Sequence, residues 1–397
     1  MTDFAATKAM FHLPEGMIYL DGNSLGPLPK ATPAAMEKVL RDEWGEMLIT
    51  GWNNAGWMAQ STSVGDRVAR LIGAEPGHVI MGDTLSVKVY QALASAVELN
   101  PDRRVILSDS GNFPSDLYMA EGLIQSLDKG YELRVVAPED VAANLTDEIA
   151  VMMITEVDYR TGRLHDMKAL TAKAHEHGVI TVWDLAHTAG ATDVQLADCK
   201  ADFAVGCTYK YFNGGPGAPA FIYVNPKHAN TARPAMSGWL GHDAPFAFEQ
   251  SYRPHTGIER MRVGTPPVLA LTALSSALDV WDMTNMADVR RKSQELTSLF
   301  ITEVEARCPE LTLATSRDPD ARGSQVSFAF EDGYPAMQAL IAHGVIGDFR
   351  APNIMRFGFT PLYIDEADVV RAAEILEDIM TNRLWDRDEY KVKSAVT

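Results

Sequence analysis

The chain has 397 residues, 46% of them apolar and 22% charged, with a formal net charge of -18. That length accommodates one large domain and a smaller one, and the acidic balance excludes nonspecific binding to nucleic acid or an anionic membrane surface. Cys199, Cys207 and Cys308 fit neither a disulfide framework nor a CxxC metal site, so plain thiols and no metal are expected.

The first 55 residues read as irregular and turn-rich, with DGNSLGPLP at 21–29 and a tryptophan-rich stretch at 44–57. The opening lacks the basic region and apolar run of a signal peptide, and no run reaches ~18 apolar residues; no membrane span and a cytoplasmic location are expected. An apolar helix follows Thr84-Leu85-Ser86. Strand patterns then stand at 103–110, 131–137, 149–157, 179–187 and 202–207, with helical patterns at 115–130 and 165–178. Short β-rich apolar runs alternating with helices predict an α/β fold with a mainly parallel sheet. From about 266 the pattern turns helical, at 268–283 and 287–306. A small α+β unit follows, with strands near 324–329 and 354–359 and helices near 335–343 and 365–380. The expected division is 1–55 packing with the small domain and the substrate pocket, 56–265 as the large domain and 266–397 as the small one.

In open α/β sheets ligands gather at the carboxyl ends of the strands. The residues there are Leu85 and Ser86, then Phe113-Pro114-Ser115-Asp116, then Asp184 and His187, then Tyr209 and Lys210. A lysine amine condenses with an aldehyde, and a carboxylate beside a pyridine nitrogen favours its protonated form. A helix N-terminus holds a phosphate dianion, and an aromatic ring covers a flat cofactor. Lys210, Asp184, the helix start at Leu85-Ser86 and Phe113 match these needs in turn, which points to pyridoxal 5'-phosphate. Each has an ordinary structural alternative: Asp184 or Ser86 as a helix cap, His187 or Phe113 as core, Lys210 as a turn lysine. The run NGGPG at 213–217 has neither P-loop nor dinucleotide spacing; it lets the backbone turn closely beneath Lys210.

Six blocks in order, YLDGNSLGPLP (19–29), NFPSDLYMAEGL (112–123), WDLAHTAG (183–190), CTYKYFNGGPG (207–217), SGWLGH (237–242) and IMRFGFTPLY (354–363), resemble the bacterial kynureninases. The likeness runs from about residue 19 to the end. It implies a fold-type-I, pyridoxal-phosphate-dependent transferase-like architecture and hydrolysis of L-kynurenine to anthranilate and L-alanine in tryptophan catabolism. It also implies a homodimer with active sites at the interface. Residue by residue, it implies Lys210 joined to the cofactor aldehyde, Asp184 at the ring nitrogen, Leu85 and Ser86 at the phosphate and Phe113 on the ring. Pro114 and Ser115 lie beside the cofactor, Asp116 and His187 help hold it, and Tyr209 contacts the phosphate region and takes part in proton transfer. Trp239 and Thr265 match positions that reach the neighbouring subunit's cofactor phosphate. Arg356 is expected to bind the substrate α-carboxylate, the alternative being a buried structural ion pair, and Ser24 lies in the substrate loop. Two positions depart from the pattern. Thr265, asparagine in some members, keeps a donor; Lys88, where asparagine is frequent, either points to solvent, the preferred reading, or adds charge near the site. Another fold-type-I enzyme, a class-V aminotransferase or a cysteine desulfurase, would share Lys210 and Asp184, though a desulfurase needs a mobile catalytic cysteine.

Overall fold

A computed structural model describes residues 1–393. Seven strands form the large sheet: β1 (Val79–Met81), β2 (Val105–Asp109), β3 (Glu132–Val136), β4 (Ile149–Thr155), β5 (Ile180–Asp184), β6 (Phe203–Gly206) and β7 (Phe221–Val224). They lie side by side in the order β1-β7-β6-β5-β4-β2-β3. β7 runs against both its neighbours, whereas the pairs from β6 across to β3 are parallel. Every residue of β2, β4, β6 and β7 is buried, which is why they read as continuous apolar runs. Neighbouring residues serve opposite faces: Ile106, Val151 and Val182 join one core, Leu107, Met152 and Trp183 the other. Helices α1 (Leu85–Leu99), α2 (Pro114–Leu127) and α3 (Met167–Glu176) complete the layers. The strands β1 and β7 and a helix at Gln60–Leu71 are additions to the elements expected. Three or four apolar residues between loops carry too little periodicity to stand out.

The second unit comprises α4 (Val268–Trp281), α5 (Met286–Arg307), β8 (Thr312–Leu313), β9 (Gln325–Ala329), α6 (Gly333–Ala342), β10 (Asp348–Arg350), β11 (Ile354–Gly358) and α7 (Glu366–Thr381). Its strands form an antiparallel sheet in the order β8-β9-β11-β10, in which Asp348 faces Arg356 directly.

The N-terminal residues are more regular than their sequence suggests. Helices span Phe4–Ala9 and Thr32–Lys38, and the second continues as a wider, π-type helix through Val39–Met47. Leu40, Trp44, Leu48 and Ile49 face outward, 44%, 56%, 63% and 76% exposed, so the buried stripe that normally marks a helix is missing. The chain then ties into the second unit, with Ile18–Tyr19 pairing in parallel with Val345–Ile346. The amide of Gly26 donates to the carbonyl of Tyr209 at 2.8 Å, which sets the 21–29 turn against the lysine. Among the described residues no helix is long and apolar enough to cross a membrane.

Candidate active site

The carboxyl ends of the parallel strands converge on a cavity of about 290 Å³. One wall is Leu85 and Ser86 at the start of α1, a second is Phe113 and Ser115 at the start of α2, and the floor is Asp184, His187, Tyr209 and Lys210. Thr84, Thr155, Tyr159 and Ala186 complete it. Asp116 is buried behind this lining, and Pro114 occupies the first turn of α2, where its missing N–H costs nothing. Trp239 and Thr265 lie on the surface of the chain, and neither lines the cavity.

Lys210 Nζ contacts His187 Nε2 at 2.9 Å rather than a carboxylate. Burial lowers the lysine pKa, with Cys207 and Asp184 opposing, and an amine drawn toward its neutral form attacks a carbonyl more readily. Burial, together with Lys210, Arg356 and Arg350, pushes His187 well below its usual value, so the imidazole is neutral. Its Nδ1 is buried with no hydrogen-bond partner among the described residues. Tyr209 is held protonated, its pKa raised by Cys207 and by burial.

Asp184 Oδ1 accepts from the amide of Ala186 at 2.9 Å. Burial lifts its pKa to about 6 against the pull of Lys210 and that amide. Asp116 is pushed well above the carboxylate range by burial and by Asp184, and its Oδ2 has no partner among the described residues. Two buried carboxyls side by side are therefore short of a cation, which a protonated pyridine nitrogen supplies. Thr84 caps α1 without a side-chain hydrogen bond, leaving the first-turn amides to an anion. Phe113 is 43% exposed and meets Tyr159 edge to face at 5.1 Å, so its ring is a cavity wall rather than core. Amine, carboxyl pair, anion cradle and aromatic wall together fit pyridoxal phosphate.

Beside the cavity lies a charged cluster. Arg356, 1% exposed, donates through Nε to Asp348 Oδ1 at 2.7 Å and through Nη2 to Asp348 Oδ2 and to Ser24 Oγ, the latter at 2.8 Å. Its Nη1 donates to the carbonyl of Tyr159 at 2.6 Å. Those bonds occupy all but one N–H of the guanidinium. The fork expected for a ligand carboxylate thus sits on Asp348, and the buried ion pair offered as its alternative is present. Arg350 joins the same oxygen of Asp348 at 2.7 Å and Ser24 Oγ at 3.3 Å. Asp21 is raised to about 8 by burial and by Asp348. Below that pH the cluster carries two guanidiniums against one carboxylate, and the spare positive charge matches one ligand carboxylate. Asp348, Arg350 and Asp21 are the members that the sequence reading passed over. The signal was the short turn at 351–353, which folds 348–350 back onto 354–358 and brings Asp348 opposite Arg356.

Residues 289–376 match the family described as the kynureninase C-terminal domain. Over 400 aligned residues the chain is 48% identical to the kynureninase of Pseudomonas fluorescens, covering 99% of this chain and 96% of that one. The kynureninase of Burkholderia pseudomallei (strain 1106a) is 49% identical over the same length, with the same coverage. The chain belongs to the kynureninase family. Among solved structures it superimposes on the cysteine desulfurase of Thermococcus onnurineus NA1 with a TM-score of 0.79 at 18% identity, covering 95% of this chain and 98% of that one. The cysteine desulfurase CsdA of Escherichia coli gives a TM-score of 0.79 at 18% identity, covering 96% and 99%. These likenesses show the fold-type-I architecture, a large mixed α/β domain with a smaller one.

This kynureninase-family chain offers no cysteine suited to desulfurase chemistry. Cys207 and Cys308 are buried, and burial pushes the half-buried Cys199 thiol up to about 11, away from the thiolate that such a reaction uses. Among the described residues no cluster of His, Cys, Asp and Glu could hold a metal ion. The family departure at Lys88 corrects an expectation: its side chain is fully buried rather than in solvent. Three oxygen acceptors around its ammonium make that burial tolerable.

Proposed function

We propose that this chain is a cytoplasmic homodimer that hydrolyses the Cβ–Cγ bond of L-kynurenine, using pyridoxal 5'-phosphate held in the cavity at Lys210. The observation that carries the reading is a lysine amine beside a neutral histidine and two cation-deficient carboxyls, in a chain 48% identical to a kynureninase along its length. Bound there, the cofactor supplies an aldehyde for an amine and a protonated ring that accepts the electron pair left by bond cleavage next to the substrate amine.

The chain's own residues do the rest. Lys210 Nζ would hold the cofactor by its aldehyde, and the same amine, when free, is placed to take the substrate α-proton and return it. His187 Nε2 orients that amine without competing for charge. Asp184 keeps the ring nitrogen protonated, and Asp116 supports it. The amides of Leu85 and Ser86 receive the phosphate, and Phe113 excludes water from one ring face. The remaining Arg356 N–H and Arg350 take the substrate carboxylate. Water adds to the substrate γ-ketone and its oxygen stays on the anthranilate carboxyl as the Cβ–Cγ bond breaks, while Tyr209, held protonated, donates a proton to the β-carbon so freed. Cofactor-loaded protein given L-kynurenine is expected to release anthranilate and alanine in equal amounts, read by chromatography. Intact kynurenine after prolonged incubation, with sulfide released from cysteine instead, would reject the reading.

The charge match gives a pH dependence. Asp21 becomes anionic as pH rises through about 8 and cancels the spare positive charge of the cluster. kcat/KM for kynurenine is then expected to fall roughly fivefold, on the scale of ~1 kcal/mol for a partly screened charge pair. Asp21→Asn removes that fall; an unchanged alkaline limb in the variant would assign it to another group.

The homodimer is supported by an exposed aromatic patch. Trp239, Phe246 and Phe248 are 43%, 62% and 77% exposed. Trp239 and Phe246 share a cleft with Ile49 and Trp52. Patches of this kind mark interfaces. If Thr265 acts in the neighbouring subunit's site, mixing inactive Lys210→Ala and Thr265→Ala chains restores some turnover, because one site of the mixed dimer carries neither lesion. Mixed dimers, proven by mass spectrometry, that stay inactive would assign Thr265 to its own subunit's site.

A further inference from the structure

We infer that Lys88 is a positioning residue for the cofactor phosphate: its buried ammonium clamps the turn that aims the first amides of α1. The inference rests on the cofactor reading above. Burial lowers the Lys88 pKa and Asp83 partly restores it. A buried ammonium persists only when all its N–H groups are met. Here Nζ reaches Asp83 Oδ2 at 3.1 Å, Gln91 Oε1 at 3.0 Å and the carbonyl of Met261 at 3.2 Å, one acceptor for each. Gln91 Nε2 also donates to that carbonyl at 3.2 Å, so successive turns of α1 grip one oxygen.

Asp83 is the residue that needs the clamp. It stands just before the cap residue Thr84 with φ +58°, a left-handed conformation costly for a non-glycine residue. Its carbonyl accepts from the amide of Ala220 at 3.0 Å, which holds the turn from the β7 side. Lys88 holds it from below. The same ammonium anchors Met261, four residues before Thr265, so it ties the 85–86 stretch assigned to this chain's phosphate to the stretch leading to Thr265, assigned to the neighbouring subunit's.

The test titrates the apoenzyme with pyridoxal 5'-phosphate and with pyridoxal, the same aldehyde without phosphate, following absorbance of the bound form. Lys88→Met is expected to raise Kd for the phosphorylated aldehyde about tenfold and leave that for pyridoxal within about twofold. Asp83→Asn keeps an acceptor for Lys88 and a residue that tolerates positive φ, and is expected to stay within about threefold of the parent for both. Parent-like affinity in Lys88→Met, or equal losses for the two aldehydes, overturns the proposal. Tighter phosphate binding in Asp83→Asn also overturns it, since the ammonium would then act by its charge rather than by holding the turn. Should Lys88→Met fail to fold, Asp83→Ala cuts the same tether at its part-exposed end, keeps a residue for which positive φ is costly, and carries the same phosphate-specific expectation. No substrate is used, so failure of kynurenine cleavage is a separate result. A parent apoenzyme that binds both aldehydes equally overturns the cofactor reading, and this inference with it.

Discussion

Lys210→Ala is expected to yield a folded dimer that binds pyridoxal phosphate loosely and turns over at least about a thousandfold more slowly, within the range lost with a positioned acid–base group. The phosphate cradle at Leu85-Ser86, the Asp184 carboxyl and the Phe113 ring are untouched by the change, so cofactor still enters. What disappears is the one amine that lines the cavity among the described residues, Nζ beside His187. Borohydride is expected to fix the cofactor to the parent chain and none to the variant, and mass spectrometry reads the difference directly. His187 cannot substitute: burial and its cationic neighbours keep the imidazole a poor base. Circular dichroism and the dimer mass separate this outcome from misfolding. A folded variant within tenfold of parent activity would remove Lys210 from the chemistry.

Arg356→Lys is expected to reduce kcat/KM for kynurenine by about 30-fold or more, since truncating a buried, hydrogen-bonded charge pair costs ~2–5 kcal/mol and ~1.4 kcal/mol is a factor of ten. The guanidinium spans Asp348, Ser24 and the Tyr159 carbonyl from one planar group. An ammonium is a compact point donor and cannot reach all three at once. Asp348 then swings with Arg350 alone, and the residual positive field facing the substrate carboxylate loses its shape. Cofactor affinity is expected to hold, because Arg356 does not line the cofactor cavity. Normal kynurenine kinetics alongside a lower melting temperature would make Arg356 a structural brace only.

Much of the site could be read from the chain because its chemistry is local. Asp184 ends one strand, Lys210 follows the next, and each identifies itself by residue type at a strand tip. The charged cluster depends instead on register: Asp348 meets Arg356 only once two short strands fold back on each other. Lys88 was misjudged for a related reason. Lysine in an apolar helix suggests snorkelling to water, and its acceptor at Met261 is 173 residues away. The helix through 32–47 was missed because Leu40 and Trp44, two of its large apolar side chains, point outward. Trp239 and Thr265 are surface residues of a single chain, and the work proposed for them would lie in a second copy.

The reversed strand β7 has a consequence for synthesis. β1, from which the phosphate turn and α1 spring, has β7 as its sheet neighbour, and β7 begins 140 residues after β1 ends. A chain emerging from the ribosome can pair β2 through β6 with one another in succession and can pack β1 on the Gln60–Leu71 helix, yet β1 has no strand to pair with until residues 221–224 are out. Domains generally take shape as translation supplies their parts. The nascent chain therefore carries its lysine before the turn ahead of α1 has a sheet neighbour, and a cofactor held at both is expected to bind only once the last strand of the sheet is made.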